Sequence, residues 1–254
     1  IVISLDHASA LEFRLAKQFF SQLPQRVRVI WNDGARIQAI LNVLVSHEID
    51  IGHQGKGRGC WTAYGYVLAR GQSQVIALHD CDIVSYDRQY LARLCYPVAN
   101  PNLAYEFCKG YYSRVTDRMH GRVTRLFITP LIRSLQMLVG PHALLSFLDS
   151  FRYPLAGEFA MVRDLAWINR IPGDWGLEVG MLAEVYRNCA LRRICQADIA
   201  DAYEHKHQTL STHNPDAGLL KMCVDITKSL FRNLASEGLV LSESTLKTLR
   251  ATYL

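Results

Sequence analysis

The stretch of sequence that decides the fold spans residues 75–82 and reads Val75-Ile76-Ala77-Leu78-His79-Asp80-Cys81-Asp82. Four apolar residues predict a short buried strand, and two carboxylates separated by one residue follow it directly. A rigid strand end therefore presents Asp80 and Asp82 together. Mg²⁺ and Mn²⁺ favour carboxylate oxygens and leave coordination positions for substrate phosphates, which makes this strand end a candidate metal site. The alternative is that the two acids only cap a helix or line a turn.

Upstream of this strand, short apolar segments alternate with stretches of helical periodicity. Strands are predicted at Ile1–Leu5 and Val27–Trp31, and the second ends in the turn signal Asn32-Asp33-Gly34. This alternation predicts an α/β fold with a mostly parallel sheet flanked by helices. The helical spacing covers Leu11–Leu23, the face formed by Ile37, Ile40, Leu41, Leu44 and Val45, and the stretch after Gly57 to about Ala69.

Downstream, the pattern is less regular and predicts that the sheet becomes mixed. A longer strand is expected at Leu103–Tyr112 and another at Arg192–Ala197. Tyr153–Phe159 contains Pro154 and Gly157, which are poor choices for a central strand, so a functional loop is predicted there. Helical spacing occurs at Gly121–Leu138 with an interruption at Pro130, at Met161–Ile168, at Leu177–Tyr186, and in two final helices at Leu219–Leu234 and Ser244–Thr252.

The length suits one large α/β domain with an appendage. We expect the domain over residues 1–212 and a helical extension packed on it over residues 213–254. The chain starts inside an apolar strand without a methionine, so we expect further residues before it. The apolar residues of the extension suit a homodimer contact or a core helix equally well: Leu219, Leu220, Met222, Ile226, Leu230 and Leu234.

The composition excludes several classes of protein. Half of the 254 residues are hydrophobic and a fifth are charged, as in folded globular chains. The formal net charge of +5 is dispersed without a run of like charges, so no nucleic-acid partner is expected. No apolar run reaches the ~20 residues of a membrane helix, and no membrane partner is expected. The seven cysteines form no Cys-x-x-Cys pair, which favours a reducing cytoplasm over a disulfide framework or a zinc site.

Four further segments place polar groups where chemistry needs them. In Gly55-Lys56-Gly57, the glycines allow a ligand close to the backbone and the lysine offers a charge for phosphate, although an exposed turn would look the same. Glu158 and Glu178 each follow glycine and apolar residues; such acids are site residues or structural acids that cap a helix or pair with arginine. His205 and His207 are metal ligands or surface histidines.

Taken together and in this order, the segments resemble the glucosyl-3-phosphoglycerate and mannosyl-3-phosphoglycerate synthases, which are retaining glycosyltransferases with the Rossmann-like GT-A fold. The likeness runs from Ile1 to about Leu210. It rests on Gly55-Lys56-Gly57 followed by Trp61, Asp80-Cys81-Asp82, Gly121-Arg122-Val123-Thr124, Pro154-Leu155-Ala156-Gly157-Glu158, Gly176-Leu177-Glu178-Val179-Gly180, and His205.

The resemblance implies roles for most of these residues. Asp80 and Asp82 form a donor-site Asp-x-Asp motif that binds Mg²⁺ or Mn²⁺ with His205, and Asp82 takes part in catalysis. The remaining donor contacts fall on Leu5, Asp6, Lys56, Leu155 and Gly157. Gly121, Arg122 and Thr124 cradle the phosphate and carboxylate of the acceptor, where an amide, a guanidinium and a hydroxyl suit oxyanions. His207 stands where an asparagine that faces the acceptor is expected.

The implied reaction is a metal-dependent transfer of a hexose, with glucose favoured over mannose, from a UDP- or GDP-sugar to 3-phosphoglycerate or a similar small anion. Same-face attack, in which the leaving phosphate takes the proton, retains the anomeric configuration without a protein nucleophile. Glu158 and Glu178 are candidates for binding sugar hydroxyls or orienting the acceptor. Two other functions fit the same residue types: a sugar nucleotidyltransferase and a non-catalytic protein that binds nucleotide sugars.

Overall fold

The computed structural model describes residues 1–113, 121–201, 203, 214 and 216–253. The chain divides into two compact units. The N-terminal unit comprises Ile1–Ser73 together with Ile171–Leu177, and the C-terminal unit comprises Gln74–Arg170 together with Glu178–Leu254. This division by packing differs from the boundary at residues 212 and 213 that the sequence suggested, which stays a prediction.

The N-terminal unit is built on two parallel strands. Strand β1 (Val2–Leu5) pairs with β2 (Arg28–Trp31), so that Leu5 lies opposite Trp31 and both carboxyl ends reach the same edge. Ser9 and Glu12 form a capping box at the start of α1, which satisfies backbone N–H groups that the first turn leaves unpaired. The three helices of this unit are α1 (Ala10–Phe20), α2 (Ala35–Ser46) and α3 (Lys56–Arg70).

The C-terminal unit contains a four-stranded mixed sheet in the order β3-β5-β4-β6. Its strands are β3 (Val75–Leu78), β4 (Phe107–Tyr112), β5 (Phe159–Val162) and β6 (Ile194–Ala200). Strand β5 is antiparallel to both of its neighbours, whereas β4 and β6 are parallel. Three of these four described strands therefore run in one direction, and the predicted α/β class with a mixed, mostly parallel sheet is confirmed.

Helices cover this sheet and bury its apolar side chains. Leu94 of α4, Cys108 of β4, Ala160 of β5 and Ile199 of β6 share one core cluster and are fully buried. No helix in the described part of the chain is long and apolar enough to span a bilayer. The helices are α4 (Arg88–Ala99), a π-helix (Thr124–Ile128), α5 (Thr129–Val139), α6 (Ala143–Asp149), α7 (Arg163–Ile168), α8 (Leu177–Asn188), a 3₁₀ turn (Leu191–Arg193), α9 (Gly218–Ser236) and α10 (Glu243–Tyr253).

Two boundaries differ from the expectation, and one alternative for α9 gains support. Met161 and Val162 complete β5, so the helix predicted from Met161 is wrong there and begins at Arg163. The strand predicted from Leu103 begins at Phe107, because residues 101–103 form a turn and Ala104 has φ of +54°. In α9, Ile226, Leu230 and Leu234 are buried within this chain, which supports the core alternative for these three residues.

Candidate functional site

The Asp-x-Asp segment lies at the carboxyl end of β3, as the sequence predicts. Antiparallel pairing places Leu78 opposite Phe159, so the residues that follow β3 meet those that precede β5. A Cβ atom built on Gly157 would lie 2.5–2.6 Å from the carboxylate atoms of Asp80. Only a glycine lets the Asp80 carboxylate rest this close to the backbone, and the structure thus brings two of the predicted donor-site segments together.

Glu158 lies behind this contact and is 0% exposed. Its Oε2 accepts a hydrogen bond from the Tyr112 hydroxyl at 2.8 Å, and its Oε1 accepts one from the Tyr203 hydroxyl at 2.7 Å. The backbone N–H of Asp80 also points to Oε1, at 3.5 Å. The two phenol rings stack with their centroids 3.8 Å apart. Burial raises the pKa of both tyrosines, so both hydroxyls stay protonated and act as donors at neutral pH.

Lys109 is a buried residue that the sequence reasoning missed. It is 1% exposed in the middle of β4, its ammonium donates to the carbonyl of Ala156, and it lies 5.4 Å from the ring centroid of Phe159. A buried ammonium group destabilises the fold unless its hydrogen bonds are made. The lysine at this position is therefore explained by its hydrogen bond to the segment that contains Ala156. The signal was present in the sequence, because a single lysine interrupts the apolar run of β4.

The chemistry of the Asp80 and Asp82 pair fits a hard dication. Asp80 is half-buried and Asp82 is exposed. Among the described residues, no group of three or more histidine, cysteine, aspartate or glutamate side chains could hold a metal. Mg²⁺ is commonly bound by one or two carboxylates together with substrate phosphates, so two acids beside an open edge suffice as the protein's share. His205 and His207 lie outside the described residues.

Three of the four predicted acceptor residues, Gly121, Arg122 and Thr124, lie at the start of one helical segment. Gly121 has φ of +74°, a conformation that favours glycine, and Arg122 is exposed. Thr124 begins the π-helix, a rare geometry that is frequent at functional sites. Its side chain is 8% exposed, and its buried hydroxyl has no hydrogen-bond partner within the described part of the chain. Such an orphaned hydroxyl is destabilising unless a ligand satisfies it.

The predicted nucleotide residues of the N-terminal unit lie at the ends of its strands. Leu5 is the last residue of β1, and Asp6 follows it. Gln54, which the sequence reasoning missed, donates from its amide to Asp6 at 2.6 Å and to Asp33 at 2.8 Å. It thereby ties together the loops that follow β1 and β2.

Lys56 begins α3, and its ammonium lies 5.9 Å from the ring centroid of Trp175. The glycines beside it have a packing role that the sequence did not reveal. A Cβ on Gly57 would lie 1.7 Å from the carbonyl oxygen of Pro172, and the N–H of Arg58 donates to the carbonyl of Gly173 at 3.0 Å. The motif therefore packs residues 171–177 of the same unit against the first turn of α3.

The remaining predicted site residues are Leu155, which is half-buried in the turn before β5, and Glu178. Glu178 is 5% exposed in the first turn of α8, where the helix dipole favours a negative charge. This placement is compatible with a capping acid and with a site acid.

Comparison with known proteins supplies an independent view. No protein-family model matches the chain. All 254 residues align with the glucosyl-3-phosphoglycerate synthase of Persephonella marina at 51% identity, covering 63% of that protein. The corresponding enzyme of Methanococcoides burtonii is 43% identical and is covered to 61%. The chain thus spans about three fifths of the length of these curated relatives.

Comparison with solved structures agrees with the sequence comparison. The crystal structure of glucosyl-3-phosphoglycerate synthase from Mycobacterium tuberculosis, in complex with Mn²⁺, UDP-glucose and phosphoglyceric acid, matches with a TM-score of 0.61. The match covers 95% of this chain and 80% of that one at 19% identity, which shows a shared fold. The predicted GT-A class is confirmed. The chain is a homologue, over its whole length, of the glucosyl-3-phosphoglycerate synthases that its motifs resemble.

Proposed function

We propose that the protein transfers glucose from UDP-glucose to 3-phosphoglycerate in a reaction that depends on Mg²⁺ or Mn²⁺ and retains the anomeric configuration. The observation that carries the proposal is the Asp80 carboxylate packed against Gly157 beside Asp82, at the carboxyl end of β3. Ligands of open α/β sheets bind outside this end of the strands. The names of the homologues and the ligands of the Mycobacterium tuberculosis enzyme support the choice of donor and acceptor.

Asp80 and Asp82 hold the dication in this proposal, with His205 as a further ligand. The bound ion supplies positive charge that stabilises the departing diphosphate. Gly157 keeps the Asp80 carboxylate in one place, and the Leu155 backbone turn lies before it. Lys56 offers a point charge, held over an indole ring, to a donor phosphate. The loop at Leu5 and Asp6 contacts the nucleoside.

Gly121, Arg122 and Thr124 bind the acceptor in this proposal, and His207 is assigned to the acceptor as well. The support is the buried hydroxyl of Thr124, which has no hydrogen-bond partner among the described residues and gains one when it donates to a phosphate or carboxylate oxygen. Arg122 is exposed and its planar fork matches either anion. Gly121 contributes a backbone N–H from a conformation that leaves no side chain in the way.

The chain needs no nucleophile for a retaining transfer. The acceptor hydroxyl attacks the anomeric carbon from the face that the diphosphate leaves, and the departing phosphate oxygen takes the hydroxyl proton. Glu178 orients the sugar or the acceptor by accepting a hydrogen bond from one of its hydroxyl groups. The residues that bind the donor and the acceptor act by orienting the two substrates. Replacing them therefore lowers the turnover rate without introducing another reaction.

A transfer assay tests the proposal. The protein is incubated with MgCl₂ or MnCl₂, a panel of UDP- and GDP-hexoses and 3-phosphoglycerate, and the products are identified by mass spectrometry. We expect glucosyl-3-phosphoglycerate from UDP-glucose only when metal is present, and no product from the folded variant Asp82→Ala. Wild-type turnover by Asp82→Ala would remove this residue from the metal site. Pyrophosphate release from a nucleoside triphosphate and a sugar phosphate would instead support a nucleotidyltransferase.

A further inference from the structure

The carboxylate of Glu158 is fully buried, so direct contact with a substrate does not explain its position. It has no exposed surface, and the Tyr112 and Tyr203 hydroxyls together with the Asp80 N–H surround its two oxygens. A carboxylate taken out of water in this way destabilises the fold unless its hydrogen bonds are made. Its effect on a reaction must therefore pass through the groups that it contacts.

We infer that Glu158 is a positioning residue of the metal site: it holds the backbone of the proposed ligand Asp80, and the Tyr203 hydroxyl holds Glu158 in turn. The inference rests on the proposed function, because it assumes that Asp80 is a ligand. The sequence suggested that Glu158 contacts the sugar or the acceptor directly. In this inference Glu158 acts instead through the backbone of Asp80.

Asp80 is held from two sides by consecutive residues. Its backbone N–H points to the Glu158 carboxylate, and its own carboxylate lies against the Cα of Gly157. The Gly157-Glu158 segment is itself anchored, because Lys109 donates to the carbonyl of Ala156 and the N–H of Gly110 donates to the carbonyl of Glu158 at 2.9 Å. A change at Glu158 thus shifts the Asp80 loop relative to a rigid strand.

Tyr203 carries the second connection. It is buried, its hydroxyl donates to Glu158, and its ring stacks on Tyr112 of β4. Tyr203 thereby fixes the same carboxylate to which the Asp80 N–H points, so it acts on the proposed metal site through Glu158.

The test measures metal binding as well as turnover. Protein is titrated with MnCl₂ at a fixed concentration of UDP, and bound Mn²⁺ is followed by loss of the EPR signal of the free aquo ion, with a protein-free MnCl₂ and UDP titration subtracted. Replacing groups that orient metal ligands commonly weakens binding 10–100-fold. We expect a roughly tenfold higher Mn²⁺ dissociation constant for Glu158→Gln, which keeps the shape but places a donor against a phenol hydroxyl.

Tyr203→Phe is a second, milder variant in case Glu158→Gln does not fold. It removes one hydroxyl and is expected to raise the same constant about threefold. Asp225→Asn is the matched control: Asp225 is 2% exposed in α9 and pairs with Lys221 at 2.9 Å, so the change again replaces a buried acid by its amide. It should lower the unfolding temperature and leave Mn²⁺ binding as in the wild type.

The outcomes separate the inference from the proposed function. Weaker Mn²⁺ binding in the folded Glu158 or Tyr203 variant, but not in Asp225→Asn, supports the positioning role. Wild-type Mn²⁺ affinity in both variants, with binding lost in Asp82→Ala, overturns the inference and leaves the proposed function standing. No Mn²⁺ binding by the wild type overturns both.

Discussion

Gly57 and Gly157 both stand in motifs of the kind that surround a bound phosphate or metal, and neither leaves room for a Cβ atom. The atoms that fill this room differ. A Cβ on Gly57 would lie 1.7 Å from a backbone oxygen of Pro172, whereas one on Gly157 would lie 2.5 Å from a carboxylate oxygen of Asp80. The first glycine serves the packing of two backbone segments, and the second serves the position of a candidate ligand. Similar motifs can thus be specified by the fold or by the site.

The largest expected effect on stability comes from Gly57→Ala. The methyl group meets a backbone carbonyl that cannot rotate away, so we expect the free energy of unfolding to fall by about 3 kcal/mol. Urea denaturation followed by circular dichroism measures it. Gly65→Ala is the control in the same helix, because Gly65 is exposed and has no atom within 4 Å of the new methyl group. It should stabilise the protein by ~0.5–1 kcal/mol. Equal effects of the two substitutions would contradict the packing role.

Gly157→Ala should show the opposite balance between stability and activity. Its methyl group displaces the end of a side chain rather than a backbone, so unfolding should change less than in Gly57→Ala. Misplacement of a reacting group by about 1 Å can lower a rate about 100-fold, and we expect a loss of this size in kcat/KM for UDP-glucose. Steady-state kinetics and urea denaturation of the same preparation check both parts. Full activity would show that the Asp80 carboxylate need not stay at Gly157.

The hydroxyl of Thr124 allows the same comparison between stability and activity for a polar group, and its replacement should have a smaller effect on activity. Thr124→Val removes a hydroxyl that has no partner within the described residues, so stability should be unchanged or slightly higher. If the hydroxyl binds the acceptor, the KM for 3-phosphoglycerate should rise about tenfold, equivalent to ~1.4 kcal/mol, while the KM for UDP-glucose stays the same.

Thr227→Val is the control for Thr124→Val, because the Thr227 hydroxyl donates to the carbonyl of Cys223 within α9. It should leave both KM values as in the wild type. Equal changes in the two KM values of Thr124→Val would remove Thr124 from the acceptor site.

The elements that were predicted well are those that local pattern specifies. Strands β1, β2 and β3 are short, mostly apolar runs, β2 ends at the turn signal Asn32-Asp33-Gly34, and the start of α1 carries its own capping residues. The Asp80 and Asp82 pair follows from the end of β3, so its place at a sheet edge was visible in the sequence.

Strand β5 and helix α4 were missed for a physical reason. Phe159, Ala160 and Met161 are all buried, so side chains on both faces of β5 are covered and the strand shows no alternation of polar and apolar residues. Helix α4 contains Pro97, a residue that usually ends a helix, and its burial of Leu94 against the sheet outweighs this preference.

The sequence by itself determined the α/β class, the strand that delivers the two acids, and the motifs that resemble those of the glucosyl-3-phosphoglycerate synthases, since these depend on neighbouring residues. Only the tertiary structure decided that Gly157 touches Asp80, that Glu158 is enclosed by two tyrosines, and that Gly57 packs on Pro172. These contacts join residues that are far apart in the chain, and strand pairing and packing, rather than local periodicity, set their distances.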